Sequence, residues 1–260
     1  MKIAVIGCGN LGKTIVNGLL NNGPVSPEEI IASKRNVGQL QEIASKGVNV
    51  TSDNIKALDF ADLVIVALKP YNILEVLSEL SDTIDPAKHT IVSLATGISL
   101  EQLDTVLPNG TSIFRAMPNT AADVASSLTC IAATNASDQN RKNVLEVFDC
   151  IGETVAIGEE LMDAATVLGA CGVAYVLRFM RAMIQGGIQI GFDSKTATKI
   201  VSQTMKGASE LIIQQNKHPE DEIDRVTTPK GCTIAGLNEM EHNGFSSALI
   251  KGIVTSYNEI

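Results

Sequence analysis

Tryptophan is absent from this 260-residue chain and aromatic residues make up only 3% of it, although 45% of the chain is hydrophobic. The core must therefore be built from Ala, Val, Ile and Leu, a composition that suits α/β layers and packed helices. Positive charge is also short: 20 Lys and Arg stand against 29 Asp and Glu, a formal net charge of −9. A field of that sign repels nucleic acid and anionic membrane surfaces, so neither is an expected partner, while small anions bound locally remain open. Cysteine pairs are lacking. Cys8, Cys130, Cys150, Cys171 and Cys232 are odd in number, widely spaced and without a CxxC, which fits reduced thiols in a cytoplasmic protein. His89, His218 and His242 lie far apart without ligand spacing, so no metal site is expected. The opening Met1–Ile6 runs straight into glycine and leaves no room for a signal peptide, whose apolar region needs ~7–15 residues. No apolar stretch reads as long and glycine-free enough to span a bilayer. The expectation is a soluble, cytoplasmic protein.

What is present is a change of rhythm. Short β-branched apolar runs at Lys2–Ile6, Ile30–Ser33, Leu63–Leu68, Thr90–Leu94, Ser112–Ala116 and Leu128–Ala133 alternate with helical patterns, and a further short strand fits Thr154–Ile157. Such alternation implies right-handed βαβ units and a mostly parallel sheet. From Glu159 onward no strand is evident. Ala197, Ile200, Val201, Thr204, Ala208, Leu211 and Ile212 instead follow the i, i+3, i+4 spacing of a helix. The length exceeds the ~100–150 residues usual for one domain, so two are expected.

The first chemical motif is Gly7-Cys8-Gly9-Asn10-Leu11-Gly12, directly after a strand and opening the helical stretch Lys13–Leu20. At the start of a βαβ unit this spacing is a dinucleotide fingerprint. Gly7 allows a tight turn, Gly9 lets the backbone approach a pyrophosphate, and Gly12 lets the helix sit close to the strand. The partial positive charge of the helix start, at Asn10 and Leu11, faces the phosphates. The fold class follows: α/β, an N-terminal Rossmann-like doubly wound sheet over residues 1–157 that binds a dinucleotide, followed by an all-α C-terminal domain over 158–260.

Past the second strand, where an NAD-specific protein usually offers an acidic residue to the ribose, the chain has Ser33-Lys34-Arg35. A hydroxyl and two cations suit a 2′-phosphate, so NADP(H) is the preferred cofactor and NAD(H) a possible one; paired charges at a solvated helix start would look the same. The third and fourth strands end in Ala67-Leu68-Lys69-Pro70 and Ala95-Thr96-Gly97. Carboxyl ends of parallel strands line the ligand crevice, so Ala67, Lys69, Pro70, Ala95 and Gly97 are expected to face the nicotinamide half. Arg115–Thr120 ends another strand, with Asn119 and Thr120 offering polar groups.

Near the other end, Thr227-Thr228-Pro229-Lys230-Gly231-Cys232-Thr233-Ile234-Ala235-Gly236 lies between two helical stretches. Pro229 fixes one backbone angle, Gly231 permits unusual ones, and Thr233 begins the next helix with free amides. The segment reads either as a capped interhelical turn or as an anion site at a helix start.

Together these motifs, with Met162-Asp163-Ala164, resemble the Δ1-pyrroline-5-carboxylate reductase family end to end. The resemblance implies an NAD(P)H-dependent reduction of 1-pyrroline-5-carboxylate to L-proline, the last step of proline synthesis. It implies that Thr233, through its hydroxyl and neighbouring amides, holds the substrate's carboxylate and ring nitrogen, with Thr228, Gly231 and Cys232 completing the substrate turn. It further implies that Asn54 lies near the adenosine ribose. Homodimers with interlaced helical domains, sometimes assembled into rings, are implied too, so that Thr233 of one chain serves its partner's cofactor. The chain departs from the family pattern in four places. Lys230-Gly231 stands where two adjacent glycines are usual and Cys232 where Thr or Ala is common. The segment Gly169–Tyr175, read as helix-breaking, lacks two serines and a proline, and Ala121 replaces a proline.

No Ser-His-Asp set is present, and an imine reduction manages without one, because a protonated C=N is already electrophilic. Two other readings fit the domain order. One is an NADP-dependent reductase of another small imine or of a hydroxy or keto acid, for which Lys195 and Lys199 are the available lysines. The other is a non-catalytic dinucleotide sensor. In the second half, Leu161, Val167, Leu168, Tyr175, Val176, Phe179, Met183 and Ile184 spread over nearly a whole helix surface, more apolar face than one small bundle buries.

Overall fold

The computed structural model describes residues 1–260. Two compact units are distinguished, Met1–Val173 with Ile260, and Ala174–Glu259. Residues 158–173 thus group with the first unit, later than the 157/158 boundary expected from the change of rhythm. The cause is packing: Met162 and Val167 are buried, and Met162 joins the apolar layer on one face of the sheet.

The first unit is built from β1 (Ile3–Ile6), α1 (Asn10–Asn22), β2 (Ile30–Ser33), α2 (Gln41–Ala44), β3 (Asn49–Thr51), α3 (Asn54–Phe60) and β4 (Leu63–Val66). It continues with α4 (Pro70–Leu80), β5 (Thr90–Ser93), α5 (Leu100–Asp104), β6 (Ser112–Met117), β7 (Ser127–Thr134), α6 (Asp138–Asp149), β8 (Gly152–Ala156) and α7 (Met162–Ala165). The eight strands form one sheet in the order β3-β2-β1-β4-β5-β6-β7-β8. Every pairing is parallel except β6 with β7. β1, β2, β4, β5 and β6 are buried along their whole length. Alternation explains how both faces become core. Ile3 and Val5 face a layer with Ile15, Leu19 and Phe148, whereas Ala4 and Ile6 face one with Ile73, Leu77 and Leu103. This is the Rossmann-like doubly wound sheet expected from the sequence.

β3 is missing from the strands read from apolar runs; only the family resemblance placed a short strand before Asn54. Asn49-Val50-Thr51 is a three-residue edge strand with only Thr51 buried, so it lacks the apolar run that marks its neighbours. Helix starts follow familiar chemistry. The Asp53 carboxylate accepts the amides of Ile55 and Lys56, Pro70 occupies the first turn of α4, and Ser99 with Gln102 and Ser137 with Asn140 form capping boxes.

After α7, Thr166–Cys171 forms a π-helical segment that runs into α8 (Gly172–Gln189). The stretch read as helix-breaking is therefore helical throughout. Glycine costs a helix only about 1 kcal/mol relative to alanine, too little to interrupt this run. Within the helical run Glu159–Gln189 an 18-residue stretch reaches a mean hydropathy of 1.6, so the run is long and apolar enough to cross a membrane by length and composition, which corrects the expectation that no stretch would qualify. Its glycines do not disqualify it, since Gly is tolerated in membrane helices.

The second unit comprises α8 from Ala174, α9 (Ser194–Gln215), α10 (Pro219–Val226), α11 (Cys232–His242) and α12 (Phe245–Asn258). Within it the Phe179 and Phe245 rings lie 5.7 Å apart and the Tyr175 and Ser256 hydroxyls are 2.6 Å apart. Only Ala197 and Val201 are buried, while Val176, Leu177, Ile200, Ile213, Leu249 and Ile250 are exposed.

Phe148 is fully buried between α6 and the sheet. Phe148→Ala is expected to lower stability by about 3–5 kcal/mol, read as a fall in the denaturant midpoint; a change under about 1 kcal/mol would contradict this packing.

Candidate functional site

The sheet order reverses between β1 and β4: from β1 the chain builds outward through β2 and β3, then returns to add β4, β5 and β6 on the other side. Ligands of doubly wound sheets sit at this switch, outside the carboxyl ends of the strands. Gly7 leaves β1 there with φ of 77°, and a Cβ on it would lie 2.4 Å from Leu68 Cδ2 and 3.1 Å from the Ala67 carbonyl. The two strand-end loops are thus in contact across the switch. Gly12 is equally constrained, since a Cβ would meet Val5 Cγ1 at 3.1 Å, which lets α1 lie close on β1. At Gly9, by contrast, the nearest atom to an added Cβ is 3.8 Å away, so the absence of a side chain leaves open space above the loop.

α1 starts at Asn10 with Gly9 as its N-cap and no side-chain cap, so its first amides, Asn10 and Leu11 among them, are left for an anion. The Cys8 amide donates to the Ser33 carbonyl at 2.9 Å, tying the glycine loop to the end of β2. Burial raises the Cys8 thiol to about 11, although Lys13 and Lys34 pull it down. It is neutral at physiological pH.

At the end of β2 the expected residues separate into two roles. Ser33 is fully buried, and its hydroxyl donates to Asn54 Oδ1 at 2.7 Å, so Ser33 acts through Asn54 rather than as an open contact. That bond brings together two residues expected at the adenosine end. Lys34 has its amide on the Thr51 carbonyl at 3.0 Å, and Arg35 is exposed. Neither makes an ion pair. The next carboxylate along, Asp53, is occupied by the α3 amides.

The other strand ends line up as expected. The Ala67 amide donates to the Ile6 carbonyl at 2.8 Å and the Leu94 amide to the Val66 carbonyl at 3.1 Å, which sets the ends of β1, β4 and β5 side by side. Lys69 is the exposed N-cap of α4, and Pro70 fills its first position. Ala95 is buried, with its amide on Ser93 Oγ, and Gly97 is exposed with φ of 73°. Asn119 departs from expectation. Its side chain accepts the Ala121 amide at 2.9 Å and donates to the Gly169 carbonyl at 3.1 Å, so both ends of the carboxamide hold the fold together.

In the second unit the turn before α11 differs from its sequence reading. The left-handed backbone belongs to Lys230, at φ of 62°, whereas Gly231 is extended, with φ of −71° and ψ of 160°. Glycine is required at 231 for space, because a Cβ there would lie 2.6 Å from Thr228 Oγ1. The Gly231 amide donates to the Thr228 carbonyl at 2.9 Å, closing the turn. α11 begins at Cys232, one residue earlier than expected, with Gly231 as N-cap and no side-chain cap. Thr228, Gly231, Cys232 and Thr233 are therefore grouped at an uncapped helix start, where Thr228, Cys232 and Thr233 are exposed. Lys195 and Lys199 are exposed on α9, and the Lys195 amide is held by the Asp193 carboxylate in the helix cap. The five cysteines are unpaired, and no cluster of three metal-ligating groups occurs.

Residues 159–260 match the family described as pyrroline-5-carboxylate reductase dimerisation, and residues 2–97 match that described as NADP oxidoreductase, coenzyme F420-dependent. Pyrroline-5-carboxylate reductase 2 of Dictyostelium discoideum is 39% identical over 271 residues, covering 98% of this chain and 90% of its own. The chain belongs to the pyrroline-5-carboxylate reductase family. Another member, pyrroline-5-carboxylate reductase 1 of the same organism, is 43% identical over 98% of this chain, which spans only 48% of that longer relative. A solved reductase structure from Coxiella burnetii superimposes with a TM-score of 0.93 at 28% identity, over 99% of this chain and 96% of its own. Family membership brings oxidoreductase chemistry and proline biosynthesis.

One contact escaped the sequence reading. Arg115 and Glu159, 44 residues apart, form a partly buried ion pair that no local pattern announces.

Two expectations follow from the site's geometry. Lys230→Gly is expected to stabilise the fold by up to about 1 kcal/mol in denaturant titration, because glycine adopts the left-handed conformation without a Cβ clash; destabilisation would refute the strain at Lys230. Cys8 and Cys150, both raised to about 11 by burial, are expected to stay unmodified by iodoacetamide at pH 8 in the native protein and to react after unfolding. Rapid native labelling of either would contradict this burial.

Proposed function

We propose that this chain reduces 1-pyrroline-5-carboxylate to L-proline in the cytoplasm, with NADPH preferred over NADH as the hydride donor. The observation that carries the reading is the glycine loop at the β1/β4 switch. Gly7 and Gly12 are constrained by close contacts while Gly9 leaves space above an uncapped helix start, which fits a pyrophosphate. The dinucleotide supplies the hydride when bound.

The chain's own residues bind, orient and exclude. Asn10 and Leu11 offer α1 amides to phosphate, and Asn54, oriented by Ser33, offers its carboxamide to the ribose. Lys34 and Arg35, free of ion pairs, suit a 2′-phosphate, and the match of residues 2–97 to an NADP oxidoreductase family supports that preference. Ala67, Lys69, Pro70, Ala95 and Gly97 form the nicotinamide side of the crevice. The α11 start binds the substrate's carboxylate through the Cys232 and Thr233 amides and the Thr228 hydroxyl, with Thr233 orienting the ring nitrogen. Lys230, exposed, adds positive charge outside this turn. Holding the imine in near-attack geometry lowers the barrier by several kcal/mol without an acid–base side chain.

The exposed apolar surface of the helical unit is read as the face covered by a second copy, with a homodimer as the smallest assembly. The dimerisation match over residues 159–260 supports this over burial of Glu159–Gln189 in lipid. Five unpaired cysteines support a reducing compartment.

Assay of the purified chain with 1-pyrroline-5-carboxylate, with NADPH and NADH in turn, tests the reading; no turnover with either would sink it. Thr233→Ala is expected to lower kcat/KM for the imine by about 10–100-fold while leaving the NADPH Kd within about two-fold, as loss of a hydrogen bond to a charged substrate predicts. Unchanged kinetics would remove Thr233 from the site. Lys34→Ala with Arg35→Ala is expected to shift the NADPH-to-NADH ratio of kcat/KM toward NADH by about ten-fold or more, and an unmoved ratio would overturn the 2′-phosphate assignment.

A further inference from the structure

Arg115 and Met162-Asp163-Ala164 have no role in the reading above, yet the structure brings them to one place. Arg115, on β6, is only 4% exposed. Its Nη1 donates to Glu159 Oε1 at 3.0 Å, and Nη2 lies 3.9 Å from Asp163 Oδ1. Nε and Nη2 have no hydrogen-bond partner, so Glu159 is the principal group compensating this buried cation.

The same Glu159 oxygen accepts the Leu100 amide, at the first residue of α5. Leu100 closes the segment Ala95–Ser99, which leaves the carboxyl end of β5 on the nicotinamide side of the crevice. The opposite end of that segment is fixed by the bonds of the Leu94 amide to the Val66 carbonyl and of the Ala95 amide to Ser93 Oγ. Between these anchors Gly97 is exposed in the left-handed region. The segment is therefore short and pinned at both ends, and at its far end the Ser99–Gln102 capping box is joined by a carboxylate that is itself fixed by a buried arginine.

The geometry points to Glu159 as a positioning residue for the nicotinamide half of the cofactor, acting through the Leu100 amide and held in place by Arg115. This rests on the reductase reading and deepens it. A doubly wound sheet binds the adenosine half over β1–β3 and the nicotinamide half over β4–β6. Loosening 95–99 makes binding pay for ordering the segment, and only a ligand that reaches it bears that cost. Glu159 thus discriminates between the whole dinucleotide and its adenosine fragment, which a purely structural role does not.

The test uses the full chain with Glu159→Ala and Glu159→Gln, the latter keeping an oxygen for the Leu100 amide. NADPH affinity is read by its fluorescence, and that of adenosine 2′,5′-bisphosphate by calorimetry. Glu159→Ala is expected to weaken NADPH by about ten-fold and raise its KM in parallel, with the bisphosphate within about two-fold of wild type and Glu159→Gln recovering part of the loss. Equal loss for both ligands, or no loss for either, overturns the inference. If Glu159→Ala does not fold, Glu159→Gln decides on the same comparison: a loss confined to NADPH supports the role and any other pattern overturns it. A wild-type chain that binds neither ligand overturns the cofactor reading as well, whereas a wild type that reduces the imine beside an unselective variant overturns the positioning role alone.

Discussion

The contact that the cofactor crevice depends on is the one between Gly7 and the Ala67–Leu68 loop. β1 is the only strand flanked by β2 on one side and β4 on the other, so its exit must pass beneath the loop leaving β4. There is room for a backbone and none for a side chain. That crowding turns the chain sharply, sets the start of α1 over the strand ends, and leaves its unpaired amides facing outward. The parallel register then carries the ends of β4 and β5 to the same level. An uncapped helix start and the rim of strand ends are thus consequences of where one glycine sits.

Electrostatics divide the rim. At the β2 end the Ser33 hydroxyl, Asn54 Oδ1 and the Asp53 carboxylate are committed to each other or to α3 amides, so the charged groups left uncommitted are the cations Lys34 and Arg35. At the β5 end the committed groups are Arg115 and Glu159, and what they leave uncommitted is backbone. The β2 end thus offers charge and the β5 end offers shape, with the exposed Lys69 at the β4 end between them. This distribution is possible in a strongly acidic chain because the cations are local and the next carboxylate along, Asp53, is used in the α3 cap.

Sequence made the sheet legible where strands were buried on both faces, because such strands are continuous apolar runs; β3, at the edge, had no such run and was missed by that criterion. The glycine fingerprint was legible because each glycine meets a distinct steric demand. Turn chemistry drew attention to Thr233 as a helix start with free amides, and family resemblance added its substrate role and that of Thr228. The turn's backbone was misassigned, since the strain falls on Lys230 while Gly231 is fixed by the neighbouring Thr228 hydroxyl, a contact visible only in three dimensions. Asn119 looked like a crevice residue because of its place after a strand, yet its carboxamide is satisfied by Ala121 and Gly169. The Arg115–Glu159 pair, joined across 44 residues, left no local trace.

The helical unit buries only Ala197 and Val201 among its own residues. Two such side chains cannot offset the conformational entropy of ordering five helices. In the homodimer proposed above, the folding equilibrium of that unit is coupled to mass action. There its midpoint rises with protein concentration, and the cell's level of this chain becomes a term in its stability. A substitution that halves expression then weakens every remaining copy, so abundance and fold cannot be tuned separately.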